Sequence, residues 1–247
     1  MNNPLHKLLA DNRGRGMFKA EASGNEATLY LYDVIVSDDY WGGVGAQSFV
    51  KELNSLTADT IHLRINCPGG DVFAARAMEQ AVREHGSKVI AHIDGYAASA
   101  ASYLALAADE VVIAPGGFFM IHKAWTVAFG NASDLLDTAS LLEKIDTSLV
   151  DSYARETGND PAQIADWMAA ETWFTAEEAV QYNFADSIAE APAKASAHWN
   201  LSAYDSAPRS SQAPIQEPPP APAAQFSTTH TDSLLHAVRS IAIQPSA

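Results

Sequence analysis

The sequence predicts an α/β layer fold with a mainly parallel sheet, on two observations. Runs rich in β-branched and aromatic residues recur from Ala27 to His122, and stretches of helical periodicity lie between most of them. Such alternation of strand and helix is the pattern of βαβ units. Right-handed crossovers then bring the loops that follow the strands to one edge of the sheet, where sites in these folds tend to lie.

Ala27–Val36 (ATLYLYDVIV) reads as the first strand. A turn at Gly42, Gly43 and Gly45 opens a helix to Leu56, with Phe49, Val50 and Leu53 at helical spacing. Thr60–Asn66 is a strand, Cys67-Pro-Gly-Gly70 a sharp loop and Asp71–His85 a helix. Lys88–Asp94 is a further strand, followed by a turn of small residues and a helix from about Ser99 to Ala108. Glu110–Ala114 and Phe118–His122 read as short strands. Asp134–Thr157 is a long helix with Leu135, Leu142, Ile145 and Leu149 on its apolar stripe. Asp160–Ala169 and Thr175–Tyr182 are shorter helices, the second opened by a capping box from Thr175 to Glu178.

Residues 1–26 are polar and weakly periodic, and the expectation is an N-terminal arm. The folded domain is expected over 27–189. From residue 190 Pro, Ala and Ser dominate, so 190–247 is expected to be a disordered tail, with a short amphipathic helix conceivable at Asp232–Ile243.

Of the 247 residues 47% are hydrophobic, enough for a sizeable core, and the formal charge is −15. So acidic a chain repels phosphate backbones, which argues against a nucleic-acid groove. The single cysteine, Cys67, cannot form an internal disulfide. No apolar run approaches the ~20 residues that span a bilayer, so the expectation is a soluble, cytoplasmic protein. The eight histidines show no spacing with Cys or carboxylates that suits zinc, and neither metal nor cofactor is expected.

Three short segments carry chemistry. In Gly95-Tyr-Ala-Ala-Ser99-Ala-Ala-Ser102 a serine falls where a strand gives way to a helix, a place suited to a nucleophile and equally to a helix N-cap. In Asn66-Cys-Pro-Gly-Gly70-Asp two glycines let backbone N–H groups face a ligand, or simply make a turn. Phe118-Phe-Met-Ile-His122 ends an apolar strand in an imidazole, which is either a base or a structural residue. Lys123 raises a Ser–Lys pair, but neighbouring strand residues face opposite ways, so only one of the two can meet Ser99. A serine nucleophile needs a base and a group that holds the base's tautomer, and Asp160, Asp166 and Glu171 are the downstream acids.

Taken together, these segments and Glu171-Thr-Trp-Phe-Thr-Ala-Glu-Glu-Ala-Val, ending in Ala185-Asp-Ser-Ile188, resemble the Clp protease proteolytic subunit. The resemblance is closer to the Clp-related head-maturation proteases of tailed phages. It implies a crotonase-like spiral of βαβ units with a protruding long helix and a serine endopeptidase activity. Ser99 would be the nucleophile, His122 the base, and the amides of Gly70 and Ala100 the oxyanion hole, with substrate beside Gly69 and Gly70. The family's acid, usually Asp, falls at Glu171, with Asp166 in reserve.

The resemblance further implies a homo-oligomeric ring of seven, stacked in pairs through the long helix. The substrate would be a polypeptide, such as capsid or scaffold protein in a phage. Residues 1–26 do not look like the family's axial segment, so pairing with an ATP-driven unfoldase stays open. Two other classes also stay open. One is a crotonase-type acyl-CoA enzyme; the other is a non-catalytic scaffold, against which the joint presence of Ser99, His122 and Glu171 speaks.

Overall fold

A computed structural model describes residues 4–190 and 199–208 of the chain. It opens with helix α1 (Pro4–Asp11) and strand β1 (Met17–Ser23), which pairs antiparallel with β2 (Glu26–Tyr32). The stretch expected to be a free arm is therefore an edge hairpin and a helix. Its polarity comes from the exposed face of β1, where Lys19 and Glu21 point to solvent, while Leu8 of α1 is fully buried. The hairpin burial is partial, which is why the apolar pattern was weak in sequence.

The expected strand 27–36 divides into β2 and β3 (Ile35–Val36). Asp33 makes the break: its carboxylate accepts the Val34 N–H at 2.7 Å. That bend lets β3 leave the main sheet and pair in parallel with β4 (Val44–Gly45). Then come α2 (Ala46–Ser55), β5 (Thr60–Cys67), α3 (Val72–Glu84) and β6 (Lys88–Ala98). Next along the chain are α4 (Ala100–Ala105), β7 (Glu110–Ile113), β8 (Phe118–Ile121), the long α5 (Ala132–Thr157), α6 (Pro161–Ala169) and β9 (Thr172–Thr175). The series closes with α7 (Ala176–Gln181) and β10 (Ser187–Ile188).

The main sheet runs β1-β2-β5-β6-β7-β10, and every pairing after the first hairpin along this path is parallel. Leu29, Leu31, Ile61, Leu63, Ile65, Ala91 and Ile93 are fully buried on these strands, the near-continuous apolar character expected where both faces are covered. Tyr32, Arg64 and Asp94 on three adjacent strands form one cluster, in which Arg64 Nε donates to Asp94 at 2.8 Å and the Tyr32 hydroxyl also donates to it.

On the side away from β5, β6 has two partners in succession. Its first half, Ile90–Ile93, pairs with β7, and its second, Tyr96–Ala98, pairs with β8. The sequence predicts a turn after Asp94, because Gly95 and three small residues follow; pairing to β8 overrides that weak propensity. Gly95 is needed here, since a Cβ would stand 2.6 Å from Asn66 Oδ1. β9, absent from the sequence reading, pairs antiparallel with β8.

Helix α5 is 26 residues long, about 39 Å at 1.5 Å per residue. It is opened by a capping box between Asn131 and Asp134 and closed by Gly158 in the left-handed region. Leu149, Ser152, Tyr153 and Thr157 are buried in its last turns, whereas Leu135, Leu136 and Leu141 near its start are exposed. The Thr175–Glu178 capping box of α7 is formed in both directions.

A second, smaller apolar cluster joins Leu8, Val34, Val36, Ala98 and Met120 to Trp199, Leu201 and Tyr204. Part of the expected tail is thus packed against the domain. The remainder, 209–247 with the conceivable helix Asp232–Ile243, lies outside the described residues. Among the described residues no helix is long and apolar enough to cross a membrane.

Candidate active site

Three backbone devices converge on one cleft. The first is the elbow at Ser99, between β6 and α4, where φ is 53° and ψ −123°. A non-glycine residue there is strained by about 1–3 kcal/mol and persists only if its neighbours fix it. They do so at both ends. The Ser99 N–H donates to Met120 C=O at 2.9 Å, and its C=O accepts from the N–H and hydroxyl of Ser102 at 2.9 and 2.6 Å. With its proton given to Ser99, the Ser102 hydroxyl accepts from Tyr153 of α5, 2.6 Å away.

The second device is the loop Asn66–Asp71. Gly69 and Gly70 have φ of 94° and 146°. A Cβ on Gly70 would lie 1.9 Å from the Ile35 carbonyl oxygen, and one on Gly69 would lie 2.7 Å from Ser99 Cβ. No other residue fits either place. Ile35 N–H donates to Gly69 C=O at 2.8 Å and Asp71 N–H to Ile35 C=O at 2.9 Å. The alternation of an extended chain turns the Gly70 N–H to the opposite edge, and Gly70 lines the same cleft as Ser99.

The third device is the β6–β8 ladder, in which Ala98 faces Met120. His122 follows β8 directly, and its Nε2 lies 2.7 Å from Ser99 Oγ. Burial lowers the imidazole pKa to about 4, so the ring is neutral at physiological pH and has a lone pair to accept the serine proton. Lys123 is exposed and does not face Ser99. Cys67 is buried, and burial pushes its thiol up to about 12, which leaves it inert as a nucleophile.

The cleft has a volume of about 490 Å³. Ser99, His122 and Gly70 stand in its floor, and Phe73, Trp125, Val127, Phe129, Leu141 and Leu142 give it an apolar wall. Phe73 and Phe129 are exposed, at 64% and 72%.

Glu171 comes to the neighbourhood of His122 through the β8–β9 register, which pairs Ile121 with Thr172. Its backbone is held at φ 50°. The carboxylate accepts from Ser206 N–H at 2.7 Å, from Asp205 N–H at 3.3 Å and from Trp173 Nε1 at 3.4 Å. Among the hydrogen bonds formed by the described residues, none joins Glu171 to His122. The other acids are elsewhere: Asp160 caps α6 through Ala162 N–H at 2.7 Å, and Asp166 is exposed on that helix.

Tyr204 escaped the sequence reading altogether. Its ring stands edge-on to His122 with centroids 5.4 Å apart, and its hydroxyl donates to the Pro68 C=O. The signal was present in the sequence as Trp199, Leu201 and Tyr204, three large apolar residues in an otherwise Pro-, Ala- and Ser-rich stretch.

Known proteins resemble this chain over the same region. The model of the Clp protease family matches residues 29–192. The ATP-dependent Clp protease proteolytic subunit of Deinococcus radiodurans is 30% identical over 149 residues, covering 58% of this chain and 73% of its own length. Proteolytic subunit 2 of Treponema denticola is 31% identical over 151 residues, 59% of this chain and 76% of its own length. Proteolytic subunit 2 of Pseudomonas aeruginosa is 30% identical over 155 residues, with coverage of 60% and 77%.

Proposed function

The chain belongs to the Clp protease family and is a peptidase, and from that premise we propose that it is a serine endopeptidase with Ser99 as nucleophile and His122 as general base. The observation that carries the reading is the 2.7 Å contact between Ser99 Oγ and His122 Nε2. An extended peptide lies in the cleft beside Gly69 and Gly70, its apolar side chains against the Phe73 and Trp125 wall. His122 Nε2 takes the hydroxyl proton as Ser99 Oγ attacks the scissile carbonyl. The N–H groups of Gly70 and Ala100 receive the oxyanion. His122 then gives its proton to the leaving amine, and water repeats the sequence on the acyl-enzyme to release the acid.

Glu171 is the third member of the constellation, and in this conformation it acts through the 205–206 backbone that it holds. A neutral imidazole, kept so by burial, is the form a base requires before attack.

The exposed Leu135 and Leu136 near the start of α5 support assembly with further copies of the chain, since neighbouring exposed leucines favour a covered face. We assign it a ring of copies joined through α5. The likeness of its motif set to phage head-maturation proteases supports capsid or scaffold protein as the polypeptide substrate. Co-expression with a candidate capsid protein, read by fragment masses, checks that assignment; uncleaved capsid protein with active enzyme would overturn it.

The chemistry is tested by intact-protein mass spectrometry after fluorophosphonate treatment. The wild type is expected to take one adduct on Ser99. Ser99→Ala should take none while keeping its fold, and His122→Ala should label slower by on the order of 10⁴-fold or more. A folded wild type that takes no adduct would sink the serine mechanism.

A further inference from the structure

Trp199–Ser206 is anchored at three residues, by four hydrogen bonds, before it reaches the site. Trp199 Nε1 donates to the Asn66 C=O at 2.9 Å, in the loop that carries Gly70. Asn12 and Asn200 bond reciprocally: Asn12 Nδ2 donates to Asn200 C=O at 3.0 Å, and Asn200 N–H donates to Asn12 Oδ1 at 2.6 Å. Lys7 Nζ donates to Ser202 C=O at 2.6 Å. Trp199, Leu201 and Tyr204 are each less than 10% exposed.

So seated, the segment touches the base, the oxyanion loop and the acid together. The Tyr204 ring meets His122 edge-on at 5.4 Å and Trp173 at 5.7 Å. Its hydroxyl donates to Pro68 C=O, next to Gly69, and is close enough to the Ser99 side chain to interact with it. The next two N–H groups hold the Glu171 carboxylate. None of residues 199–208 lines the cleft itself, so the segment backs the site and leaves its mouth open.

We propose that Tyr204 is a positioning residue of the peptidase site, fixing the His122 ring from behind and clamping the Pro68–Gly70 loop through its hydroxyl. The inference rests on the Ser99–His122 reading. The ring stands where water would otherwise reach the imidazole. The hydroxyl ties the carbonyl before Gly69, so the Gly70 N–H is held in register with the Ser99 elbow. Glu171 secures the same segment from the other side.

The test compares full-length wild type, Tyr204→Phe and Tyr204→Ala by the rate of fluorophosphonate labelling of Ser99 across pH, with thermal unfolding alongside. Tyr204→Phe keeps the ring and loses the clamp, so labelling should fall about tenfold with the acid limb unmoved. Tyr204→Ala should fall about a hundredfold, and its acid limb should rise from near pH 4 toward 6.5 as water reaches His122. A role in stability alone would lower the unfolding temperature and leave the limb in place. If Tyr204→Ala does not fold, the Tyr204→Phe rate decides the matter by itself. Wild-type labelling with an unchanged rate in Tyr204→Phe and an unchanged limb in any folded Tyr204→Ala overturns the proposal. Faster labelling in either variant also overturns it, by making the segment an inhibitory cover. Failure of the wild type to label at Ser99 removes the peptidase mechanism, and this proposal with it.

Discussion

The two flanks of the His122 ring are built in different ways. On one flank stand Ser99, Gly69 and Gly70, each held by backbone hydrogen bonds within a strand, a tight loop or an elbow. On the other stand Tyr204 and Glu171, held by side chains and by a segment whose Asn200 is 188 residues from its partner Asn12, just after α1. The first flank leaves almost no freedom: added Cβ atoms collide with backbone. The second is a set of packed rings and the Glu171 carboxylate that holds the 205–206 backbone, which substitution can alter without rebuilding the sheet. Ser99 and the glycine loop thus sit on the rigid side, and the His122 ring meets the adjustable one.

Gly70→Ala attacks the rigid flank and should have the largest effect among tests of this contrast. The new Cβ cannot coexist with the Ile35 carbonyl, 1.9 Å away, so the loop must shift and take its N–H from the oxyanion. Peptide hydrolysis should fall by about 10²–10³-fold, and calorimetry should show a loss of about 2–4 kcal/mol in stability. A variant with native stability and activity would mean that the loop is softer than its contacts indicate.

The ring between the flanks is read by pH. Burial depresses the His122 pKa to about 4, and the active form is the neutral one, so activity is full above that value and declines as pH falls through it. At pH 5.5 an ordinary histidine at 6.5 would have lost about nine tenths of its neutral form, whereas this enzyme should keep nearly all its acylation rate. The acylation rate measured from pH 3.5 to 8 checks this. A limb near 6.5 would mean that a carboxylate bonds to the imidazole during turnover.

The smallest effect is expected at Glu171→Gln on the adjustable flank. The amide oxygen can still accept from Ser206 N–H, so acylation should change by less than about threefold. Direct support of the imidazolium by Glu171 predicts a far larger loss, on the order of 10⁴. Steady-state kinetics with a peptide substrate separates the two.

That contrast also governs what the sequence disclosed. The parallel α/β architecture and β5 with its Pro-Gly-Gly loop were legible because local patterns encode them, whereas Ser99 and His122 were joined as a pair only by the resemblance of the combined motifs to a known family, and the β6–β8 ladder that brings them together was not read. α1 was hidden because Leu8 clusters with Trp199, Leu201 and Tyr204 far along the chain, and β1 because its residues are only partly buried. β9 and β10 are four and two residues long, too short to show a period. Gly95–Ala98 reads as a turn and is a strand only because β8 and Cys67 pair with it. Tyr204 was lost to composition: a Pro-rich stretch hid three aromatic and aliphatic anchors. Glu171 was found in place but not in contact, since its bonds run to a backbone whose position no local rule could supply.

The ladder between β6 and β8 has a consequence for how such a chain can vary. Ala98 faces Met120, so Ser99 and His122 follow one and two residues beyond a paired rung. Their separation is therefore counted in residues. A single insertion between Gly95 and Ala98, or within Phe118–Ile121, would turn every later side chain to the opposite face and carry His122 away from Ser99. Substitutions along these strands can be absorbed by repacking, but a change in length cannot. Across descendants of this chain, drift in residue identity with fixed spacing in these two strands is the signature this geometry would leave.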